Sequence, residues 1–379
     1  MERIRPDAIR VLRNKPLVQR LSWYFRVLWG ERPARYRIAK RLESPEDPYQ
    51  EGLTLDDLWR LHDRLAIEYK KFLKEIEENR EKLPESVPPR SYLDVKIAIS
   101  IKTFESCNLC EWKCRANRAS GRQGVCKVSG ECIVYSYFHH MGEEAPLVPS
   151  GTIFYGGCPL KCVFCQNWEI SQRVDENYIV VTPEELAEIQ EELAFTGARN
   201  INHVGGDPIP HIPFILESFK YLDVNKPQLW NSNMYLSEEG MKLIADIIDI
   251  WLPDFKYGNN ACALRLSKCK NYVEVVIKNL SIAYNESDGN MIVRHLVLPN
   301  HIECCTRRVL EWMSKNIPKA VLNLMDQYHP DYLLLADPKA REEYKEIARR
   351  LSAKEIEEAL AIAKEYGYSL SVEELLLIP

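Results

Sequence analysis

Gly157-Cys158-Pro159-Leu160-Lys161-Cys162-Val163-Phe164-Cys165-Gln166-Asn167 sets three cysteines at C-x3-C-x2-C spacing in one short loop, with no obvious fourth. Iron–sulfur clusters are commonly held by four cysteines and structural zinc by four ligands. Three thiolates therefore leave one iron of a cluster with an open coordination position, and an open iron can bind substrate. The same residues are open to a zinc knuckle or to buried apolar thiols. Against both stand the spacing, the flanking glycines and the motifs that follow downstream.

From Gly151 onward, short β-branched or apolar runs alternate with helical patterns, the rhythm of parallel βα units. Six strands are predicted, at Thr152–Tyr155, Asn200–Val204, Gln228–Asn231, Ile250–Pro253, Ile292–Val297 and Val321–Met325. Helices are predicted near 183–196, 212–222, 237–248, 272–284 and 304–316. Thr182-Pro183-Glu184-Glu185 reads as a capping box with proline at the first helical position, and Gly197 as the helix stop. The fold expected is α/β, a partial (β/α)6 TIM-like barrel open on one side, since six units close only part of a circle and right-handed crossovers put the helices outside. In such barrels the reacting groups sit at the C-terminal ends of the strands, and the cysteine loop follows the first strand.

The other predicted strand ends are rich in polar chemistry. The second runs into Gly205-Gly206-Asp207-Pro208, where two glycines let backbone approach a ligand closely. The third ends in Asn231, Ser232 and Asn233, which donate and accept hydrogen bonds. Beyond the fourth, Asp254 and Lys256 share one face and form either a structural ion pair or a pair facing the ligand. On the fifth strand Arg294 and His295 point to opposite faces, and Arg294 is assigned to the interior. Asp326 and Tyr328, past the sixth, could touch substrate, cap or pack.

Upstream, Cys107, Cys110, Cys114 and Cys126 form a second set of four thiols, with Cys132 close behind. Four thiolates can close a site for zinc or for a second iron–sulfur cluster in a small Cys-rich metal-binding subdomain. In Phe138 to Pro146, His139, His140 and Glu143 could ligate metal or move protons, but the segment reads more simply as a connector. Cys262, Cys269, Cys304 and Cys305 show no ligand spacing and read as packing residues. Leu58, His62, Leu65, Tyr69, Phe72 and Ile76 form a helical stripe after a start at Thr54 and Asp57, and Pro84, Pro88 and Pro89 mark a linker. A helix is predicted around Pro338–Arg350 and another from Ser352, opened by a capping box. The expected division is an N-terminal helical region (1–90), the Cys-rich subdomain and connector (91–150), the barrel (151–330) and C-terminal helices (331–379).

The 379 residues, 28% charged and 46% apolar with a net charge of −5, suit a large globular catalytic domain with a smaller accessory region, and offer no general attraction for nucleic acid. No apolar run is long enough for a membrane span, and the charged start at Glu2 and Arg3 lacks a signal-peptide core. A cytoplasmic location is expected, in which twelve cysteines are reduced ligands rather than disulfides.

Together these motifs resemble the radical S-adenosylmethionine (radical SAM) superfamily, in particular an uncharacterised branch similar to pyruvate formate-lyase activating enzyme. The resemblance covers about residues 105–330. It implies that Cys158, Cys162 and Cys165 hold a [4Fe–4S] cluster, and that Phe164 packs by the adenine of S-adenosylmethionine. It further implies that Gly205, Gly206, Asp207, Asn231, Ser232, Asn233, Asp254, Lys256 and Arg294 position that molecule; Asp207 stands where the family's motif has a glutamate. A reduced ferredoxin or flavodoxin is the implied electron donor, and a protein or peptide, as in glycyl-radical activation, is among the implied substrates. The contrasting readings are a nonenzymatic zinc scaffold and an electron-transfer iron–sulfur protein.

Overall fold

The computed structural model describes residues 5–78, 80, 82–370 and 377–378; Glu2 and Arg3, and 371–376 and 379 of the C-terminal region, lie outside the described residues. The six predicted strands are present with ends shifted by at most two residues: β2 (Ser150–Tyr155), β4 (Asn200–Gly205), β5 (Gln228–Ser232), β6 (Ile250–Pro253), β7 (Ile292–Leu296) and β8 (Val321–Met325). β2, β4, β5 and β6 are successive parallel neighbours, as are β7 and β8. Parallel bridges at Trp251–Met291 and Asp254–Arg294 carry the barrel wall from β6 to β7. The fold is therefore the expected α/β partial barrel. Helices Pro183–Phe195, Ile212–Tyr221, Glu238–Ile244, Tyr272–Glu286 and Arg308–Asn316 follow the strands, and the Thr182–Glu185 capping box forms.

The departures have local causes. An unpredicted strand β1 (Cys132–His140) runs antiparallel to β2 and takes in the first residues of the predicted connector, with the short β3 (Ile179–Val181) beyond it. A bulge between Val134 and Ser136 breaks the two-residue alternation that would have announced β1. A helix at Asn260–Ser267, capped by the Asn259 side chain accepting from the Cys262 amide, sits where a loop was expected. The helix predicted from 304 begins instead with a wide turn, Ile302–Arg307, and the one predicted to run to Arg350 ends at Glu343. Among the described residues no helix is long and apolar enough to cross a membrane.

The N-terminal ends of the strands are closed by the start of the chain. Val11, Leu17, Leu21, Tyr24 and Phe25 pack on Leu229, Ile250, Leu252, Ile292 and Val321. Asp249, one residue before β6, anchors this plug. Its carboxylate accepts from the Trp23 indole at 2.7 Å, the Arg35 amide at 2.9 Å and the Gln228 amide at 2.8 Å. The plug fills this end of the barrel, and the cavity lies at the opposite end, where the cysteine loop is.

Burial pushes the Asp249 carboxyl up to about 6, although its three donors and Arg35 pull the other way. A carboxyl whose folded value lies above its unfolded one stabilises most while protonated in both states. That contribution, at most about 3 kcal/mol, is lost as pH rises from about 4 through about 6. Asp249→Asn keeps an acceptor for Trp23 and Arg35 but cannot ionise. Urea unfolding at several pH values should show the slope between pH 4 and 7 flattened in the variant; an unchanged slope would refute the assignment.

Candidate active site

The three loop cysteines, Phe164 and the residues assigned from the ends of the second to fifth strands, Gly205 to Asp207, Asn231 to Asn233, Asp254, Lys256 and Arg294, line one cavity of about 230 Å³ at the C-terminal ends of the parallel strands, whereas Asp326 and Tyr328 are not part of its lining. The loop from Gly157 to Asn167 forms one wall. Gly157 has φ +80°, and a Cβ there would fall 2.4 Å from Val128 Cγ2 and 2.5 Å from the Cys126 carbonyl oxygen. The loop is pinned from the other side by the helix Asn260–Ser267, whose last carbonyls accept from the Lys161 and Val163 amides, both at 2.9 Å.

Each of the three sulfurs has its own polar partner. Ser267 Oγ donates to Cys162 Sγ at 3.0 Å, Asn233 Nδ2 donates to Cys158 Sγ at 3.4 Å, and Ser171 Oγ lies 3.1 Å from Cys165 Sγ. Burial raises all three thiols above their ordinary range. Without metal they stay protonated; a bound cation deprotonates them and relieves that cost. The donor set of three convergent thiols thus suits an iron–sulfur cluster.

Gly205 and Gly206 form the second wall. Gly205 has φ +115° and would place a Cβ 2.2 Å from the Tyr155 amide nitrogen, while a Cβ on Gly206 would meet the Gly157 carbonyl oxygen at 2.2 Å. No side chain fits at either position, and backbone itself faces the cavity. The Asp207 carboxylate turns along the wall, accepting from Ser232 Oγ at 3.1 Å, the Asn233 amide at 3.0 Å and the Ile209 amide at 3.0 Å. Burial, outweighing these bonds, pushes it up to about 7. Asp207 thereby ties the end of β4 to the end of β5.

Across the cavity, Lys256 Nζ donates to Asp254 at 2.6 Å. Burial opposes the lysine's charge, but the Asp254 carboxylate outweighs it and holds Lys256 above its usual range. Arg294 enters from β7, while His295 on the opposite face bonds the Phe255 carbonyl and Thr306. Phe164 packs edge-on to Tyr328 with ring centres 5.7 Å apart. Tyr328 is buried and donates to the Ile347 carbonyl, a packing role, whereas Met325 and Gln327 reach the cavity.

One site residue, Glu144, escaped the sequence reading, and Glu143 was placed in a connector. Glu143 and Glu144, after β1, clamp Arg294: Nε and Nη2 donate to the Glu144 carboxylate at 2.7 and 2.8 Å, and Nη2 also contacts Glu143. Burial works against the Glu143 charge, yet Arg294 and His140 hold its carboxyl below the usual range. One edge of the guanidinium is thus engaged by the protein, and Nη1 is left beside Asn231 Oδ1 at 3.3 Å. Asn231 Nδ2 is buried with no hydrogen-bond partner and lies on the cavity wall. An orphaned donor of this kind fits a ligand that brings an acceptor.

The upstream cysteines pack behind the cysteine loop instead of lining the cavity. The Cys126 carbonyl accepts from the Cys158 amide at 3.2 Å, and Trp112 Nε1 donates to the Pro159 carbonyl at 2.7 Å. Cys107 shares a hydrogen bond with Cys114, and Cys114 and Cys126 both approach Gly124. Cys132 is buried in β1. The reading of Cys262, Cys304 and Cys305 as packing residues is corrected: wound into the wide turn after β7, Cys304 and Cys305 meet Cys262 around His301. Cys269 alone of that group is a buried packing thiol, directed at the Ser267 carbonyl.

An α/β barrel with three convergent thiols at its open end defines an iron–sulfur enzyme class. The family model of the radical SAM superfamily matches residues 152–313. An uncharacterised protein of Methanocaldococcus jannaschii, MJ0674, is 42% identical over 358 residues, spanning 93% of this chain and 99% of that protein. Among solved structures, TYW1 with a lysine–pyruvate adduct bound aligns at TM-score 0.38 with 14% identity, over 61% of this chain and 81% of its own. Streptococcus suis SuiB bound to precursor peptide SuiA aligns at 0.37 with 12% identity, over 83% and 64%. Residues 152–313 of the chain form a domain of the radical SAM superfamily, which implies a [4Fe–4S] cluster and S-adenosylmethionine.

The glycine wall gives a direct test. Gly206→Ala drives a methyl group into the Gly157 carbonyl, an overpacking cost of about 1–3 kcal/mol. The variant should keep its far-ultraviolet circular dichroism but hold less than about half the wild-type iron after anaerobic reconstitution, a loss expected when the ligand loop is displaced. Full iron occupancy would show that the close approach is dispensable.

Proposed function

We propose that this protein uses its cluster and S-adenosylmethionine to abstract a hydrogen atom from a protein or peptide segment presented at the barrel mouth, in the manner of glycyl-radical activating enzymes. The reading is carried by the convergence of three hydrogen-bonded thiols, a side-chain-free glycine wall and the orphaned Asn231 Nδ2 on one cavity. When bound, the cluster and S-adenosylmethionine supply one-electron reductive cleavage of a sulfonium and a hydrogen-abstracting radical.

The chain's own residues hold and orient. Cys158, Cys162 and Cys165 ligate, and Ser267, Asn233 and Ser171 tune the sulfurs by hydrogen bonding. Gly205 and Gly206 offer backbone to the methionyl group, Asp207 holds Ser232 and Asn233 in place beside it, and Asn231 Nδ2 takes a carboxylate or ribose oxygen. Asp254 and Lys256 present opposite charges for the ribose and carboxylate, Arg294 Nη1 adds a cationic donor, and Phe164 packs by the adenine. Carboxylates outnumber cations around the cavity: Asp207, Asp254, Glu143 and Glu144 face Lys256 and Arg294. That excess favours a ligand carrying an ammonium and a sulfonium.

A low-potential ferredoxin or flavodoxin is the proposed electron donor. For Cys107, Cys110, Cys114 and Cys126 we propose a bound metal, zinc or a second iron–sulfur cluster, that fixes the loop supporting Cys158 through the Cys126 carbonyl.

Anaerobically reconstituted, reduced protein should be brown and convert S-adenosylmethionine to 5′-deoxyadenosine, with deuterium entering that product from a labelled peptide substrate. Cys162→Ala should abolish the conversion. A colourless protein, or redox turnover without 5′-deoxyadenosine, would sink the proposal. Asn231→Ala should weaken S-adenosylmethionine binding about tenfold, roughly 1.4 kcal/mol, with the iron content unchanged. Equal affinity in the variant would remove Asn231 from the binding set.

A further inference from the structure

Outside the cavity, Cys262, His301, Cys304 and Cys305 bring four ligand atoms within 4.8 Å of one another. Cys262 comes from the helix after β6, Cys304 and Cys305 from the wide turn after β7, and His301 from the residue just before that turn. His301 Nδ1 lies 3.4 Å from both Cys262 Sγ and Cys304 Sγ. Cys304 Sγ lies 3.9 Å from each of the other two sulfurs. Sulfurs at that separation are not disulfide-bonded, since a disulfide spans about 2.05 Å. Zinc bonded to sulfur at about 2.3 Å and to nitrogen at about 2.0 Å in a tetrahedron separates its sulfurs by about 3.8 Å and sulfur from nitrogen by about 3.5 Å. The spacing matches a single ion, whereas a cubane spreads its cysteines over separate irons.

The surroundings are built around these four atoms. Asn259 Nδ2 donates to Cys262 Sγ at 3.1 Å and to the Cys304 carbonyl at 2.9 Å, and sits 3.8 Å from Cys305 Sγ. This is the kind of outer-shell donor that steadies thiolate ligands. Gly258 lets the two segments touch, since a Cβ there would fall 2.7 Å from the Cys305 carbonyl oxygen. Cys305 and His301 are buried, while Cys262 and Cys304 are half-buried and leave an entry path.

We propose that Cys262, His301, Cys304 and Cys305 form a closed tetrahedral zinc site that staples the helix after β6 to the turn after β7. Four protein ligands leave no open position, so the ion is structural. The stapled helix is the one whose last carbonyls hold the Lys161 and Val163 amides and whose Ser267 hydroxyl bonds Cys162. Zinc therefore braces the wall behind the ligand loop. The site stands whether or not the cavity acts on S-adenosylmethionine.

The test removes the other thiol ligands. A variant with Cys107, Cys110, Cys114, Cys126, Cys158, Cys162 and Cys165 all changed to serine should retain about one zinc per chain by inductively coupled plasma mass spectrometry, as a single closed site requires. Replacement with cobalt(II) should give the intense visible bands of tetrahedral sulfur-rich coordination, and adding Cys304→Ser should remove both metals. Absence of zinc and of cobalt uptake in a folded seven-serine variant would overturn the site. If that variant does not fold, wild-type protein decides: Cys262 and Cys304 should resist N-ethylmaleimide until a zinc chelator is added, as read by peptide mass spectrometry. Labelling of both at free-thiol rates before chelation would overturn it equally.

Discussion

Burying three thiols at one point is the constraint on which the site depends. Cys158 and Cys162 are buried and Cys165 half-buried, so thiolates there have little solvent to stabilise them, and Lys256 alone cannot balance three negative charges. The chain offers each sulfur only one or two hydrogen-bond partners, which suits a ligated thiolate and falls far short of neutralising a free one. The loop is therefore folded for a multiply charged metal group. Its supports, the glycines at 157, 205 and 206, the Cys126 carbonyl and the end of the helix Asn260–Ser267, come from four separate parts of the chain.

Arg294 illustrates how the barrel fixes charge without using it up. A guanidinium free to rotate would satisfy itself on the nearest carboxylate and collapse the cavity. Glu144 grips Nε and Nη2, Asn323 Nδ2 in turn donates to Glu144 at 2.7 Å, and Asn202 Nδ2 donates to Glu143 at 3.0 Å. The cluster of charges is hydrogen-bonded on every side, the condition under which burying it is tolerable. Nη1, the corner turned from the two glutamates, donates to Asn231 Oδ1 at 3.3 Å.

The barrel strands were legible because parallel strands buried on both faces read as short apolar runs, and the cysteine and glycine motifs sit at their ends, where local spacing suffices. What stayed hidden depends on distant partners. Nothing near Glu143 or Glu144 reveals that they meet an arginine 150 residues further on. Cys262 and the Cys304-Cys305 pair look unrelated in sequence, although His301, three residues before Cys304, was a local hint. The wide turn that brings 301, 304 and 305 to one side has no residue pattern comparable to a capping box. β1 carried β-branched and aromatic residues from Ile133 to Phe138, but its bulge spoiled the alternation.

Two buried aspartates show why one end of the barrel is inert and the other reactive. Asp249 below and Asp207 above each accept from three donors, and burial raises both. Chemically the two are near twins. Asp249 is enclosed by Trp23 and by backbone, so its hydrogen bonds are permanent and its task ends with fastening the N-terminal plug. Asp207 borders open space shared with Cys158, Asn231 and Lys256. An incoming cation can therefore stabilise its ionised form, whereas Asp249 has only the fixed help of Arg35 and its three donors. The difference lies in access, and access was decided when the first helices filled the lower end of the barrel.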